Sequence, residues 1–167
     1  MKEEKLLKVL KELMRNSKRS DREIAKAIGA SQPTVTRTRK LLEEYIRSYT
    51  IIPEFGKIGY EIVAFTFSKS RTYDKKEVDA KLPLVTEWYK KHNNVIFASD
   101  GEGLGKDGIM VSFHKNYSKY ADFMRDYIVS FADCTSDVQS FIVSLKSGLI
   151  MKYLDLKYLA DDLESLD

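Results

Sequence analysis

Residues 20–37 read Ser20-Asp-Arg-Glu-Ile-Ala-Lys-Ala-Ile-Gly-Ala-Ser-Gln-Pro-Thr-Val-Thr-Arg37. Ser20 followed three positions later by Glu23 is a capping box, which starts a helix at Asp21. Ile24, Ala25 and Ile28 form its apolar side, and Gly29 supplies the left-handed residue that ends it. Ser31 can cap a second helix, with Pro33 tolerated in a first turn that needs no backbone donor. That helix is expected to run to about Tyr45, with Val35, Leu41 and Leu42 facing inward. Two short helices joined by Gly29, Ala30 and Ser31 make a helix-turn-helix unit.

Upstream, Leu6, Leu7, Leu10, Leu13 and Met14 recur at spacings of three and four, which predicts another helix over Lys2–Met14. Downstream, Tyr45-Ile-Arg-Ser-Tyr-Thr-Ile-Ile-Pro53 is rich in β-formers, and a ribbon there makes the motif a winged one. The second helix of such a unit enters the major groove N-terminus first. Its leading residues are Ser31, Gln32, Thr34 and Thr36, followed by Arg37, Arg39 and Lys40. Gln pairs with adenine, while Arg pairs with guanine or phosphate. No acidic residue lies between Glu23 and Glu43. Arg47 and Tyr49 are candidates for the DNA backbone, with a linker strand facing a partner subunit as the equal alternative. The plainer alternative is a three-helix bundle with a solvated basic face.

The charge of the whole chain supports a division. Its 167 residues carry a net +3, but residues 1–52 hold 13 Lys+Arg against 7 Asp+Glu, and residues 53–167 hold 15 against 18. A basic segment joined to an acidic one suggests a nucleic-acid-binding module on a different domain. The expected organisation is a DNA-binding domain at 1–52, a linker at 53–60 and a second domain at 61–167. With 43% apolar residues the chain has enough for packed cores. No apolar run reaches the roughly 18–20 residues of a membrane span, and the first residues lack the apolar stretch of a secretory signal. A lone Cys134 leaves no disulfide framework or cysteine metal cluster. The expected setting is the cytoplasm.

These residues resemble a known family. The stretch quoted above, with Leu42-Glu-Glu, Tyr45-Ile-Arg-Ser-Tyr-Thr and Lys57-Ile-Gly-Tyr, is similar to the Lrp/AsnC (feast/famine) transcriptional regulators. The likeness is strong over residues 5–68 and beyond that lies mainly in element order. It implies a winged helix-turn-helix that binds double-stranded DNA, and a ribbon leading to a βαββαβ domain that dimerises and often binds amino acids. Two departures stand out. The family usually keeps an apolar residue four positions after the valine of the recognition helix, where this chain has Arg39; its stem could lie across the core with its charge in solvent. The family's short Gly-x-x-Asp turn is replaced by a longer, glycine-rich loop.

The second half carries the pattern of that domain. Strands are expected at Glu61–Ser68, Val95–Ser99, Ile109–His114 and Val138–Leu145, with helices at Lys75–His92 and Ser118–Ala132. Pro83 implies a late start or a kink in the first of these helices. The order βαββαβ suits a ferredoxin-like α+β fold, an antiparallel sheet with both helices on one face. Ile62-Val-Ala-Phe, Val95-Ile-Phe-Ala and Phe141-Ile-Val are continuous apolar runs, whereas a sheet covered on one face should alternate. A second subunit is the natural cover, so a homodimer or higher oligomer is expected. The tail Leu149–Asp167 is expected to continue this domain with another strand or turn and then a short helix packed on the domain or its partner subunit.

Candidate chemistry is sparse. Asp100, Gly101, Glu102, Gly103 and Gly105 form a loop between strands that fits neither a phosphate loop nor a calcium loop. It reads as a flexible connection; the alternative, implied by the resemblance, is an altered site for an amino acid or other small-molecule effector. His92 and His114 are expected to be solvent-facing or capping and give no metal spacing. Cys134 reads as packing, and no catalytic residues, metal or cofactor are assigned. Two alternatives remain: an enzyme resembling the sirohaem decarboxylases, which share this scaffold, and a protein-binding adaptor.

Overall fold

The capping chemistry read at Ser20 and Ser31 sets the first part of the fold. The structure, a computed structural model, describes residues 2–147 and 149–166. The chain divides into two units: the stretch through Ile52 together with Met151 onward, and Pro53–Ile150.

The first unit holds α1 (Lys2–Arg15), α2 (Asp21–Ile28) and α3 (Gln32–Leu42). Val9, Leu13, Ile24, Val35 and Leu42 pack as its core. Each such side chain contributes roughly 1.5–3 kcal/mol by leaving water. Leu41, expected to face inward, is instead exposed. The inward line of α3 runs through Val35, Thr38 and Leu42, spaced three and four apart. Thr38 hides that line in the sequence because it is polar, but its hydroxyl donates to the Thr34 carbonyl at 2.8 Å and so is buried at little cost.

Two further expectations change here. The predicted ribbon over Tyr45–Pro53 forms no strand; it is a turn, a bend and irregular chain, with Tyr49 and Ile51 exposed. β-Propensity alone does not make a strand, which needs a neighbour to pair with. The tail does not extend the sheet domain. A 3₁₀ turn at Leu156–Tyr158 and α6 (Leu159–Asp162) pack on α1 in the first unit. Ala160 is fully buried, Leu166 joins the helical core, and Asp161 pairs with Arg15 at the end of α1.

The second unit is built on β1 (Ile62–Ser70), β2 (Val95–Gly103), β3 (Lys106–His114) and β4 (Thr135–Ser144), with α4 (Lys75–Lys91) and α5 (Tyr117–Ser130). The sheet is antiparallel in the order β2-β3-β1-β4, as in a ferredoxin-like fold. Alternation sends Ala64, Thr66 and Met110 to the helices, where Trp88, Phe123, Met124, Tyr127 and Phe131 cover them. Asp74 caps α4 by accepting from the Lys76 and Glu77 amides. The helix starts at Lys75 with Pro83 inside it, so the late start expected from that proline does not occur.

Residues 53–60 are more than a linker. Phe55 stacks on Phe113 at 4.2 Å, Tyr60 meets the same ring edge-on, and Lys115 donates to the Ile58 carbonyl. They cover one corner of the sheet face opposite the helices. Elsewhere on that face Phe97 and Phe141 stay 52% and 68% exposed. Phe141 pairs with Phe65, and Phe65 with Val111, so an apolar row crosses three strands.

The glycine-rich loop is also different from its reading. β2 and β3 run on through it as a hairpin closed by Leu104 and Gly105, at φ 54° and 68°. Two consecutive positive values are those of a type I′ hairpin turn. Tertiary contacts hold its base: Asp107 accepts from the Ser70 amide at 2.8 Å and from the Tyr73 hydroxyl at 2.7 Å, and Lys106 pairs with Asp137.

Candidate nucleic-acid interface

Capping geometry fixes how α3 is presented. The Ser20 amide donates to the Glu23 carboxylate at 2.8 Å, and the Glu23 amide donates back to the Ser20 hydroxyl at 3.3 Å. Gly29, at φ 67° and ψ 37°, closes α2, its amide donating to the Ala25 carbonyl. Ser31 then caps α3, accepting from the Thr34 amide and sharing a 2.8 Å hydrogen bond with the Thr34 hydroxyl. Four residues therefore set the turn between the helices with local bonds only.

An ion pair between the helices fixes their angle. Asp21, the first residue of α2, accepts from the Thr36 hydroxyl at 2.5 Å and lies 2.7 Å from Arg39 Nε. The Arg39 guanidinium also donates to the Arg19 carbonyl. Arg39 therefore stands where an apolar residue was expected and acts as a polar clip inside the unit. Its side chain stays one-quarter exposed, with the guanidinium turned to Asp21 and the Arg19 carbonyl. Thr36 is exposed yet shares in the clip. Nothing local marks Asp21 for this role, because its partners lie 15 and 18 residues away.

The remaining predicted residues fall into two groups. Gln32, Arg37 and Lys40 are exposed on α3, and Gln32, Pro33, Thr36 and Arg37 line an open depression on its surface. Ser31 and Thr34 cap the helix at the same end. α3 carries no carboxylate, so the positive charges of Arg37 and Lys40 are undiluted on that surface. Arg47 is exposed at a bend in the segment after α3. Tyr49, also considered for the DNA backbone, donates to the Glu43 carboxylate at 3.3 Å. Burial, with Glu43 beside it, raises its pKa.

The candidate effector residues occupy the β2–β3 hairpin. Gly101, Glu102, Gly103 and Leu104 line a cavity of about 280 Å³ with Phe67 and Ile109. Asp100 belongs to a different cavity, under α4. Gly105 sits in the turn itself.

The histidines divide. His92 ends α4 as expected and stacks on Trp88 at 3.7 Å. His114 is buried, against expectation, its Nε2 at 2.9 Å from the Ser112 hydroxyl. Its neighbours Ser112, Tyr120 and Phe123 give it a hydrogen bond and aromatic edges in place of water. Burial pushes its pKa down to about 4. Cys134 is half-buried against the core of the second unit. Among the described residues no group of His, Cys, Asp and Glu is arranged to hold a metal, and no helix is long and apolar enough to cross a membrane.

Comparison with known proteins places the head and the fold. Residues 2–45 match the winged helix-turn-helix DNA-binding family, so the chain carries that domain. No protein of curated function matches the sequence. A transcriptional regulator from Neisseria meningitidis, solved with L-Met, is 20% identical with a TM-score of 0.72, over 92% of this chain and 96% of its own. AsnC of E. coli is 16% identical at a TM-score of 0.68, over 89% and 95%. LrpC of B. subtilis is 18% identical at 0.65, over 88% and 96%. At such identities the likeness is one of fold, and it spans both units.

Proposed function

We propose that this chain, which has the two-domain fold of the Lrp/AsnC regulators and a winged helix-turn-helix head, is a sequence-specific DNA-binding transcription regulator of the cytoplasm. The observation that carries the reading is the exposed end of α3. There Gln32, Arg37 and Lys40 are exposed on a helix that carries no carboxylate of its own and whose approach is fixed by the Ser20, Gly29 and Ser31 turn. Ser31, Thr34 and Thr36 complete the leading end, and Arg47 adds a positive charge after the helix. Arg39 has a positioning role.

Selection from random duplexes tests the reading. The expected result is enrichment of a pseudo-palindrome whose half-sites lie ~34 Å apart or a multiple of that. Affinity should fall steeply with salt as phosphate counterions are released. Failure to enrich any sequence, together with weak salt-insensitive binding, would overturn it.

Two copies are proposed to join through the sheet face that α4 and α5 leave open. Phe65, Phe97, Val111 and Phe141 form an apolar surface there, of the kind that marks an interface. Phe141→Glu is expected to weaken the dimer at least tenfold, seen as a fall toward monomer mass in light scattering at micromolar concentration. A wild-type chain that is already monomeric under those conditions would refute the dimer. The hairpin residues Gly101, Glu102, Gly103 and Gly105 remain our candidates for an effector at that end of the sheet. The L-Met held by the Neisseria regulator motivates this part of the proposal.

A further inference from the structure

Among its residues α4 buries only Trp88. Val78 and Leu82, on its first half, are 45% and 56% exposed. Both line a cavity of about 500 Å³ between α4, the end of α5 and the sheet, wholly within the second unit.

The cavity floor is a row across three strands. Asp100 of β2 pairs with Gly108 of β3, and Gly108 with Ser68 of β1. This row lies two residues from Met110 and Thr66, so it faces the helices as they do. Gly108 leaves a notch in it: a Cβ at that position would stand 2.6 Å from Ser68 Oγ. The notch is therefore bounded by a carboxylate and a hydroxyl. Beside it, the Ser68, Tyr89 and Tyr127 hydroxyl-bearing side chains line the same cavity. Burial, helped by Tyr127 and Asp100, holds the Tyr89 phenol protonated well above its usual range.

One carboxylate and neighbouring hydroxyls at one end, with Val78, Leu82 and Val85 as an apolar wall, give the pocket a polar end and an apolar side. We propose that this cavity binds a small primary amine with an aliphatic or aryl stem, its ammonium on Asp100 in the notch and its stem beneath α4. Charge-assisted hydrogen bonds from the ammonium would satisfy Asp100, and the stem would cover apolar surface that α4 leaves exposed. Lys81 lines the same cavity, with its Nζ on the Asp133 carbonyl at 2.8 Å. It offers a cation to any amine that also bears a carboxylate. The site shares no residue with the surface of α3, so it stands or fails independently of DNA binding.

The test titrates hexylamine, hexanol and L-norleucine into the full chain. Methyl NMR at Leu82, Val85 and Met110 reads the stem. Fluorescence of Trp88, the chain's one tryptophan and 5.3 Å from the Tyr89 ring, gives a second readout. Hexylamine is expected to shift these signals saturably, and hexanol to bind at least tenfold more weakly. Asp100→Asn should abolish that preference. Gly108→Ala combined with Ser68→Ala fills the notch without a clash, because the next contact is Ser68 Cβ at 3.9 Å. It should weaken hexylamine at least tenfold while thermal unfolding shows the chain still folded. Norleucine binding tighter than hexylamine would assign the site to amino acids through Lys81, and weaker binding would assign it to simple amines. Absence of a shift, equal binding of hexanol, or unchanged amine binding in Asp100→Asn would each overturn the proposal.

Discussion

Arg37→Glu combined with Lys40→Glu is expected to lower affinity for the selected DNA site at least ~100-fold near 0.15 M salt, with the fold intact. Both side chains are exposed on α3, so their loss leaves no buried group unpaired. Exposed substitutions of this kind usually change stability by no more than about 0.5 kcal/mol. On DNA, losing one Arg that reads a base costs roughly 1–3 kcal/mol, and losing a phosphate contact reduces the salt slope by about one. Reversing two charges adds repulsion to both losses, and a dimer would present the variant helix twice. Filter binding across a salt series, beside a urea titration, reads the two effects separately. Arg39→Gln provides the contrast, because it breaks the Asp21 clip and should first appear as lost stability. Undiminished DNA affinity in the double variant would remove α3 from the interface.

Local chemistry explains why the head was so legible. A capping box, a left-handed glycine and a second N-cap all act within four residues, so Ser20, Gly29 and Ser31 carry their own structural meaning. Strand and helix order in the second unit was legible for the same reason, from period and punctuation. What escaped was tertiary. Arg39 looked like a DNA-facing or snorkelling residue until Asp21, distant in sequence, became its partner. Thr38 looked like surface because its burial depends on a bond to Thr34. The hairpin at Asp100–Asp107 looked like a loop because glycines are poor strand formers, and Ser70 and Tyr73 hold its base from another strand and its following turn.

The tail changes the meaning of the charge. The acidic excess of residues 53–167 lies entirely in residues 151–167, since residues 53–150 balance 13 Lys+Arg against 13 Asp+Glu. In the fold those acids belong to the first unit, whose net charge falls from +6 to +3. Asp161 is paired with Arg15 on α1, and Arg15 holds its carboxyl below the usual range. The contrast between a basic head and an acidic body therefore disappears. What remains is local: α3 bears cations and no carboxylates, while the tail acids sit with α1.

Acidification from pH 7 to about 4.5 is expected to remove up to about 3 kcal/mol of stability, most of it through His114. Its ring is 3% exposed and neutral, with Ser112 as its hydrogen-bond partner. Burial lowers its pKa from 6.5 to about 4, a difference of roughly 1.36 kcal/mol per unit. Below pH 6.5 the unfolded chain takes up a proton that the folded chain refuses, so the unfolded state binds more protons and stability falls with pH. The loss levels off below about pH 4, where the folded chain is protonated as well. Asp107, Asp137 and Asp161 have lowered pKa values, Asp107 through Tyr73 and Ser70 and the other two through Lys106 and Arg15. Their contributions are present above the ordinary carboxylate pKa and are lost only as pH falls below it, so they dominate at the acid end. The interval between pH 6.5 and 4.5 therefore isolates the histidine. His114→Gln keeps a polar partner for Ser112 but cannot titrate, and it should flatten the dependence of urea-unfolding free energy on pH across that interval. An equally steep dependence in the variant would show that another group, not His114, takes up the proton.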